Sequence, residues 1–260
     1  MSDVYELIDK TARSAKVVVR DDQFEFNEIL DAAKAARSRR RRINLLDTGR
    51  FSATELEWLG EAGIRFFTSN EMRKDPGELR LIRDACARGG SGVAFLVKGP
   101  IAAGGEDPGF SLAVLLELAR LGIVLHVSNR EFAIDPAVIS ALAAEGRVVY
   151  YHHGALVPEL AVAARRGIRL HVSDEGLDEK GSETALEILA ASRAGRGRVY
   201  IYVQNGLPLP TLRVLADAGA KLLFKTPPSD SQSLLRPIEQ RFVKTAPAAE
   251  DYYLDSTFLL

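Results

Sequence analysis

Pro158-Glu159-Leu160 runs through Gly167 into Ile168-Arg169-Leu170-His171-Val172-Ser173, a helix-glycine-strand unit. The same unit returns four more times. Thr54-Glu55-Leu56 passes through Gly63 into Ile64-Arg65-Phe66-Phe67-Thr68-Ser69. Ser111-Leu112 passes through Gly122 into Ile123-Val124-Leu125-His126-Val127-Ser128. Pro136 leads through Gly146 to Val148, and Pro210-Thr211-Leu212 through Gly219 to Leu222. Strands alternating with helices at this spacing predict βαβ units and a parallel sheet. The glycine before each strand is where a left-handed helix terminus is wanted. Ser52 with Glu55 reads as a capping box, and Asp75-Pro76, Asp107-Pro108 and Asp135-Pro136 as capping carboxylates ahead of a first-turn proline.

Nine strands are expected: Val17-Val19, Ile43-Asp47, Ile64-Ser69, Val93-Lys98, Ile123-Ser128, Val148-His152, Ile168-Ser173, Val199-Gln204 and Leu222-Lys225. Eight βα units close a TIM barrel in roughly 250 residues. The fold class expected is therefore α/β, tandem βα units forming a TIM-barrel-like (βα)8 domain. The alternative is an open α/β horseshoe. Strand starts separated by 20 to 31 residues favour the barrel, because solenoids hold a constant period. Closure predicts that the strand from Ile43 pairs with the strand from Leu222, leaving Val17-Val19 over. No Pro/Ser/Gly linker interrupts the series, so residues 1–260 read as a single domain, with 1–16 a helical extension and 245–260 an apolar tail suited to homo-oligomer contact.

Net charge is -1, with 47% hydrophobic and 27% charged residues. Bulk attraction to polyanions is thereby disfavoured, and nucleic acid is the less favoured partner. The sole cysteine, Cys86, excludes an intrachain disulfide and reads as a packed core thiol. The amino terminus lacks a basic-then-apolar leader pattern, and no apolar run approaches the ~20 residues that span a bilayer. A cytoplasmic protein without membrane partners is expected.

Strand alternation sorts the residues further. One parity of Ile168-Ser173 is Ile, Leu, Val and the other Arg, His, Ser. Val199-Gln204 splits into Val, Ile, Val against Tyr, Tyr, Gln. The apolar parity is expected against the helices. The other gathers Asn44, Arg65, Ser69, Lys98, His126, Ser128, Tyr150, His152, Arg169, His171, Ser173, Tyr200, Tyr202, Gln204 and Lys225, four permanent cations and no carboxylate. Cations without partners are costly when buried, so a small phosphate- or carboxylate-bearing anion is the ligand expected at the carboxyl ends of the strands. Otherwise loop acids such as Asp47 and Asp174 reach in to pair with Arg65 and Arg169.

In the enzyme reading His152 is the acid or base and Lys98 its catalytic partner, leading into the Gly99-to-Gly105 loop. Lys225, Ser128, Ser173, Gln204, His126, His171 and Tyr202 would bind the ligand. In the second reading a non-catalytic scaffold binds a polyanion or protein through a basic, Tyr/His-bearing sheet face. No HxH, HExxH or CxxC spacing supports a metal, no cofactor motif is present, and the Gly99 loop lacks both GxGxxG and GxxxxGK[ST]. Five arginines in the six residues Arg37 to Arg42 match a helix carboxyl end, whose dipole favours cations, and also a polyanion contact.

Overall fold

The structure is a computed structural model and describes residues 4–13, 16–101, 110–177, 179–203 and 207–224. Gln204, Lys225, most of the glycine-rich loop and the 245–260 tail lie outside the described residues. Contacts divide the chain into two compact units, one up to His126 and one from Val127. The first holds α1 (Val4–Arg13), β1 (Lys16–Arg20), α2 (Phe26–Ser38), β2 (Arg42–Leu46), α3 (Ala53–Glu61), β3 (Arg65–Ser69), α4 (Pro76–Gly89), β4 (Val93–Val97) and α5 (Leu112–Arg120). β5 (Val124–Ser128) spans the division. The second continues with α6 (Pro136–Glu145), β6 (Val148–His152), α7 (Leu160–Arg166), β7 (Arg169–Ser173), a 3-10 turn, α8 (Glu179–Ala194), β8 (Arg198–Val203), α9 (Leu209–Asp217) and β9 (Lys221–Phe224).

Strand order follows chain order from β1 to β9, and the pairings are parallel. This is the tandem βα, TIM-barrel-like connectivity that the repeat predicts. Crossovers between adjacent parallel strands are right-handed. Consecutive right-handed crossovers place the helices on one face of the sheet and leave the other face to whatever the strands present.

Two expectations are corrected. Val17-Val19 is no leftover: it forms the core of β1, paired with β2 from Lys16↔Arg42 to Arg20↔Leu46. β2 therefore has β1 on one edge and β3 on the other, and it has no edge for the strand from Leu222, which pairs with β8.

Local chemistry sets the element ends. Ser52 accepts from Glu55 N while Glu55 accepts from Ser52 N at 2.8 Å, the reciprocal capping box. Asp75 caps Gly77 N at 2.7 Å and Asp135 caps Ala137 N at 2.8 Å. Asp107-Pro108 lies outside the described residues; α5 is capped by Ser111, whose hydroxyl accepts from Val114 N. Helices α3, α4, α5, α7 and α9 each end in the same paired turn, closed around Gly63, Gly90, Gly122, Gly167 or Gly219 at positive φ. α2 ends in that turn too, with Arg41 N donating to Ala36 O and Arg40 N to Arg37 O, but the left-handed residue is Arg40 at φ 56°. A side chain there costs about 1–2 kcal/mol.

The carboxyl ends of the strands are tied by amides one residue beyond the strand. Asn70 accepts from Lys98 N at 2.8 Å and donates to Lys98 O. Asn129 accepts from His153 N at 2.7 Å and donates to His153 O. Each satisfies both backbone groups where the next ladder ends. No helix among the described residues is long and apolar enough to cross a membrane.

Candidate functional site

The register of the second unit fixes which side chains share a face. Arg169, His171 and Ser173 of β7 stand level with Arg198, Tyr200 and Tyr202 of β8. Leu170 and Val172 stand level with Val199 and Ile201 and are at most 4% exposed. Parity in these two strands is as expected, and it places His171, Ser173, Tyr202 and Arg169 on the face away from the helices. Lys221 opens β9 level with Tyr200 and joins that face.

β6 departs from expectation. Tyr151, not Tyr150, pairs with His171, and His152 pairs with Val172. Tyr150 and His152 therefore lie with Leu170 and Val172 on the helix-facing side, and the expected facing of both is off by one residue. Asn129 N donates to Tyr151 O, continuing the ladder and setting Ser128 level with Tyr151. His126 shares the parity of Ser128 along β5 and is buried. The Ser128 hydroxyl accepts from Arg130 N at 3.2 Å.

The face is built around stacked rings. His171 lies parallel to Tyr200 at 4.5 Å, with Tyr151 at 5.1 Å and Tyr202 at 6.0 Å. Two cations stand over the Tyr200 ring, Lys221 Nζ at 5.3 Å and Arg169 at 5.9 Å. Their charge meets the negative ring face. One row further toward the carboxyl ends, the Ser173 hydroxyl is buried and meets no hydrogen-bond partner among the described residues. Buried hydroxyls are normally satisfied, so this oxygen marks a place for a water or a ligand atom. Tyr151 and Lys221 were not singled out by sequence. Lys221 precedes the apolar run Leu222-Leu223-Phe224, and its place on this face is visible only through the β8–β9 register.

The two residues expected to do chemistry are engaged elsewhere. The Lys98 ammonium is 2.7 Å from the Glu71 carboxylate in a half-exposed ion pair. His152 Nε2 is 2.9 Å from the Ala155 carbonyl. A carbonyl only accepts, so the proton sits on Nε2 and leaves Nδ1 facing the Asn129 amide and the Tyr150 hydroxyl, both at 3.4 Å. Burial lowers the His152 pKa, opposed by the Ala155 hydrogen bond, and raises that of Tyr150. Both remain neutral at pH 7. Asp47, offered as a partner for Arg65, instead grips Arg73 on the opposite face; Arg65 lies 4.7 Å over the Phe67 ring. Burial pushes the Cys86 thiol up to about 12, consistent with a packed, inert core residue. Among the described residues no three His, Cys, Asp or Glu side chains form a metal-ligand cluster.

His153, clamped by Asn129, is lowered to about 4 by burial, then by Arg130 and by His152. Its ordinary value is near 6.5. Above that pH both folded and unfolded chains hold it neutral. Between about 6.5 and 4 only the unfolded chain takes the proton, so folding weakens as pH falls through that window and the loss levels off below it. The melting temperature of His153→Gln should accordingly fall less than that of the parent between pH 7 and pH 4.5. Equal falls would show that His153 carries no part of the acid sensitivity.

No family model matches the sequence, and no curated protein matches it. Among solved structures the chain is similar to a Coccidioides immitis protein described as a fructose-1,6-biphosphate aldolase, at 14% identity over 92% of this chain and 75% of that one, with a TM-score of 0.34. It is similar also to a β-mannanase from Thermomonospora fusca, at 13% identity over 87% of this chain and 74% of that one, with a TM-score of 0.32.

Proposed function

We propose that this protein binds a small phosphate- or carboxylate-bearing ligand on the polar face of β7, β8 and β9. The observation that carries the reading is the register that sets Lys221 beside Tyr200 with the buried, unmatched Ser173 hydroxyl on the same face. Lys221 is half-buried and lies within ion-pair distance of no carboxylate among the described residues. A ligand anion would receive charge from Lys221 and Arg169 and a hydrogen bond from Ser173, while the parallel His171 and Tyr200 rings give a flat wall. Tyr151 and Tyr200 flank His171 from the two neighbouring strands and suit it to recognition. His152, the side chain expected to move protons, lies on the opposite face. The binding role is therefore preferred to acid–base catalysis.

The test is a titration with inorganic phosphate and with citrate, followed through the ring resonances of His171 and Tyr200. Both rings should shift saturably. Lys221→Met and Ser173→Ala should each weaken the affinity about tenfold, the loss of one charge-assisted or buried hydrogen bond. Resonances that stay fixed to high millimolar ligand would end this reading.

A further inference from the structure

A cavity of about 190 Å³ opens where α2, α3 and α4 end, lined by Arg37, Arg40, Arg41, Arg42 and the backbone at Gly63 and Gly90. It belongs to the first unit and shares no residue with the β7–β9 face. We propose that this cavity is a second anion site, built for a phosphoryl group.

The charge around it is not neutralised from within. Glu61, the carboxylate at the end of α3, is held by Arg88 at 2.8 Å. Arg37 donates to the Glu61 carbonyl at 2.7 Å. Arg40, Arg41 and Arg42 make no ion pair among the described residues. Stabilising the helix ends does not account for them. Three helix carboxyl ends bring roughly half a negative charge each, and four guanidiniums outweigh that by about 2.5 charges, enough to meet a phosphate dianion. Size points the same way. Pockets for drug-sized ligands run to about 300–1,000 Å³, and this one suits a phosphoryl group without a nucleoside. Guanidinium forks match tetrahedral oxyanions bidentately.

The backbone supplies an independent indication. Five helices end in the same paired turn around a glycine, and at α2 alone among these six the left-handed position is filled by an arginine that lines the cavity. A chain that needed only to stop the helix would be served better by glycine. Arg40 is strained where it stands, and what it gains is a place in the cavity lining that Arg41 and Arg42 share. Strain kept at one position of a repeated turn is a mark of a functional site.

The experiment uses the full chain and inorganic phosphate, with chloride at matched ionic strength as the control, read by calorimetric titration and by melting temperature. Phosphate should raise the melting temperature by roughly 3 °C at ten times its dissociation constant, and chloride should not. Arg40→Gly should melt roughly 2–8 °C higher than the parent without phosphate and should lose at least tenfold in affinity at this site. Arg42→Gln, an exposed change that leaves the turn intact, should lose affinity as well. Lys221→Met should keep this binding event, which separates it from the β7–β9 face. Parental affinity in both Arg40→Gly and Arg42→Gln, or an equal response to chloride, would overturn the proposal.

Discussion

Arg73→Met is expected to cost about 3–5 kcal/mol of folding stability, the usual result of stripping one partner from a buried ion pair. The Arg73 and Asp47 side chains are 7% and 0% exposed. Arg73 Nε and Nη2 each lie 2.7 Å from an Asp47 oxygen, and Nη2 also donates to the Phe51 carbonyl at 2.7 Å. The carboxylate accepts further from the Thr68 hydroxyl at 2.7 Å and from Gly49 N at 2.9 Å. Methionine would retain much of the volume and delete three donors. The remaining two cannot balance a full negative charge out of water. Urea unfolding followed by circular dichroism should show the midpoint falling with little change in slope. The pair Arg73→Met with Asp47→Leu should recover much of the loss, since removing both charges removes the unmatched one. A single-variant loss below about 1 kcal/mol would mean that Asp47 meets other compensation, and the network would not hold the β2–α3 connection as described.

This network shows where sequence reading ends. Asp47 and Arg73 are 26 residues apart, and no local pattern joins them. Asp47 was read as a candidate partner for an arginine on the other face, because a strand-end acid carries no sign of its eventual mate. Within single elements the reading went much further. The helix-glycine-strand repeat, the Ser52 capping box and the caps at Asp75 and Asp135 are properties of a few consecutive residues, and the structure has them, except that Gly146 after α6 is extended at φ -170° where a left-handed residue is expected. Alternation in Arg169-Leu170-His171-Val172-Ser173 is unambiguous, since one parity is wholly apolar, and the β7 facing follows from it.

β6 failed for an equally physical reason. Val148-Val149-Tyr150-Tyr151-His152-His153 offers a valine, a tyrosine and a histidine to each face, so alternation is silent. His152 and Tyr150 are expected together on the outward parity. In the structure His152 is held neutral and satisfied by the Ala155 carbonyl, which removes the cost of burying it. A shift of one residue then exchanges the whole set, and Tyr151 takes the place in the ring stack that Tyr150 was expected to fill. The proposed site thus draws on two strands that were legible, one that was not, and a lysine one residue outside its predicted strand. The role of Arg40 depended on comparing equivalent turns across the repeat, which required the turns to be seen closed.

Gly195→Ala and Gly89→Ala are expected to destabilise the chain by about 3 kcal/mol each, near the upper end of overpacking costs. A methyl group at Gly195 would sit 1.9 Å from the Arg165 carbonyl oxygen and 2.6 Å from its carbon. At Gly89 it would sit 2.0 Å from the Gly60 carbonyl oxygen. Both obstacles are backbone, so no rotamer change relieves them; the helix pair must move apart. The same device thus serves each unit: the end of α8 lies on the end of α7 in one, and α4 lies on α3 in the other. These glycines have no positive φ, and what they supply is space. Gly90, immediately after Gly89, is the contrast. A methyl there meets nothing within 4 Å, and its cost is that of φ 73° alone. Gly90→Ala should therefore lose only about 1–2 kcal/mol, and Gly89→Ala clearly more, when both are unfolded in urea under one set of conditions. Equal losses at the two positions would show that the α3–α4 contact yields without cost, and close backbone approach would no longer explain why glycine stands at either helix end.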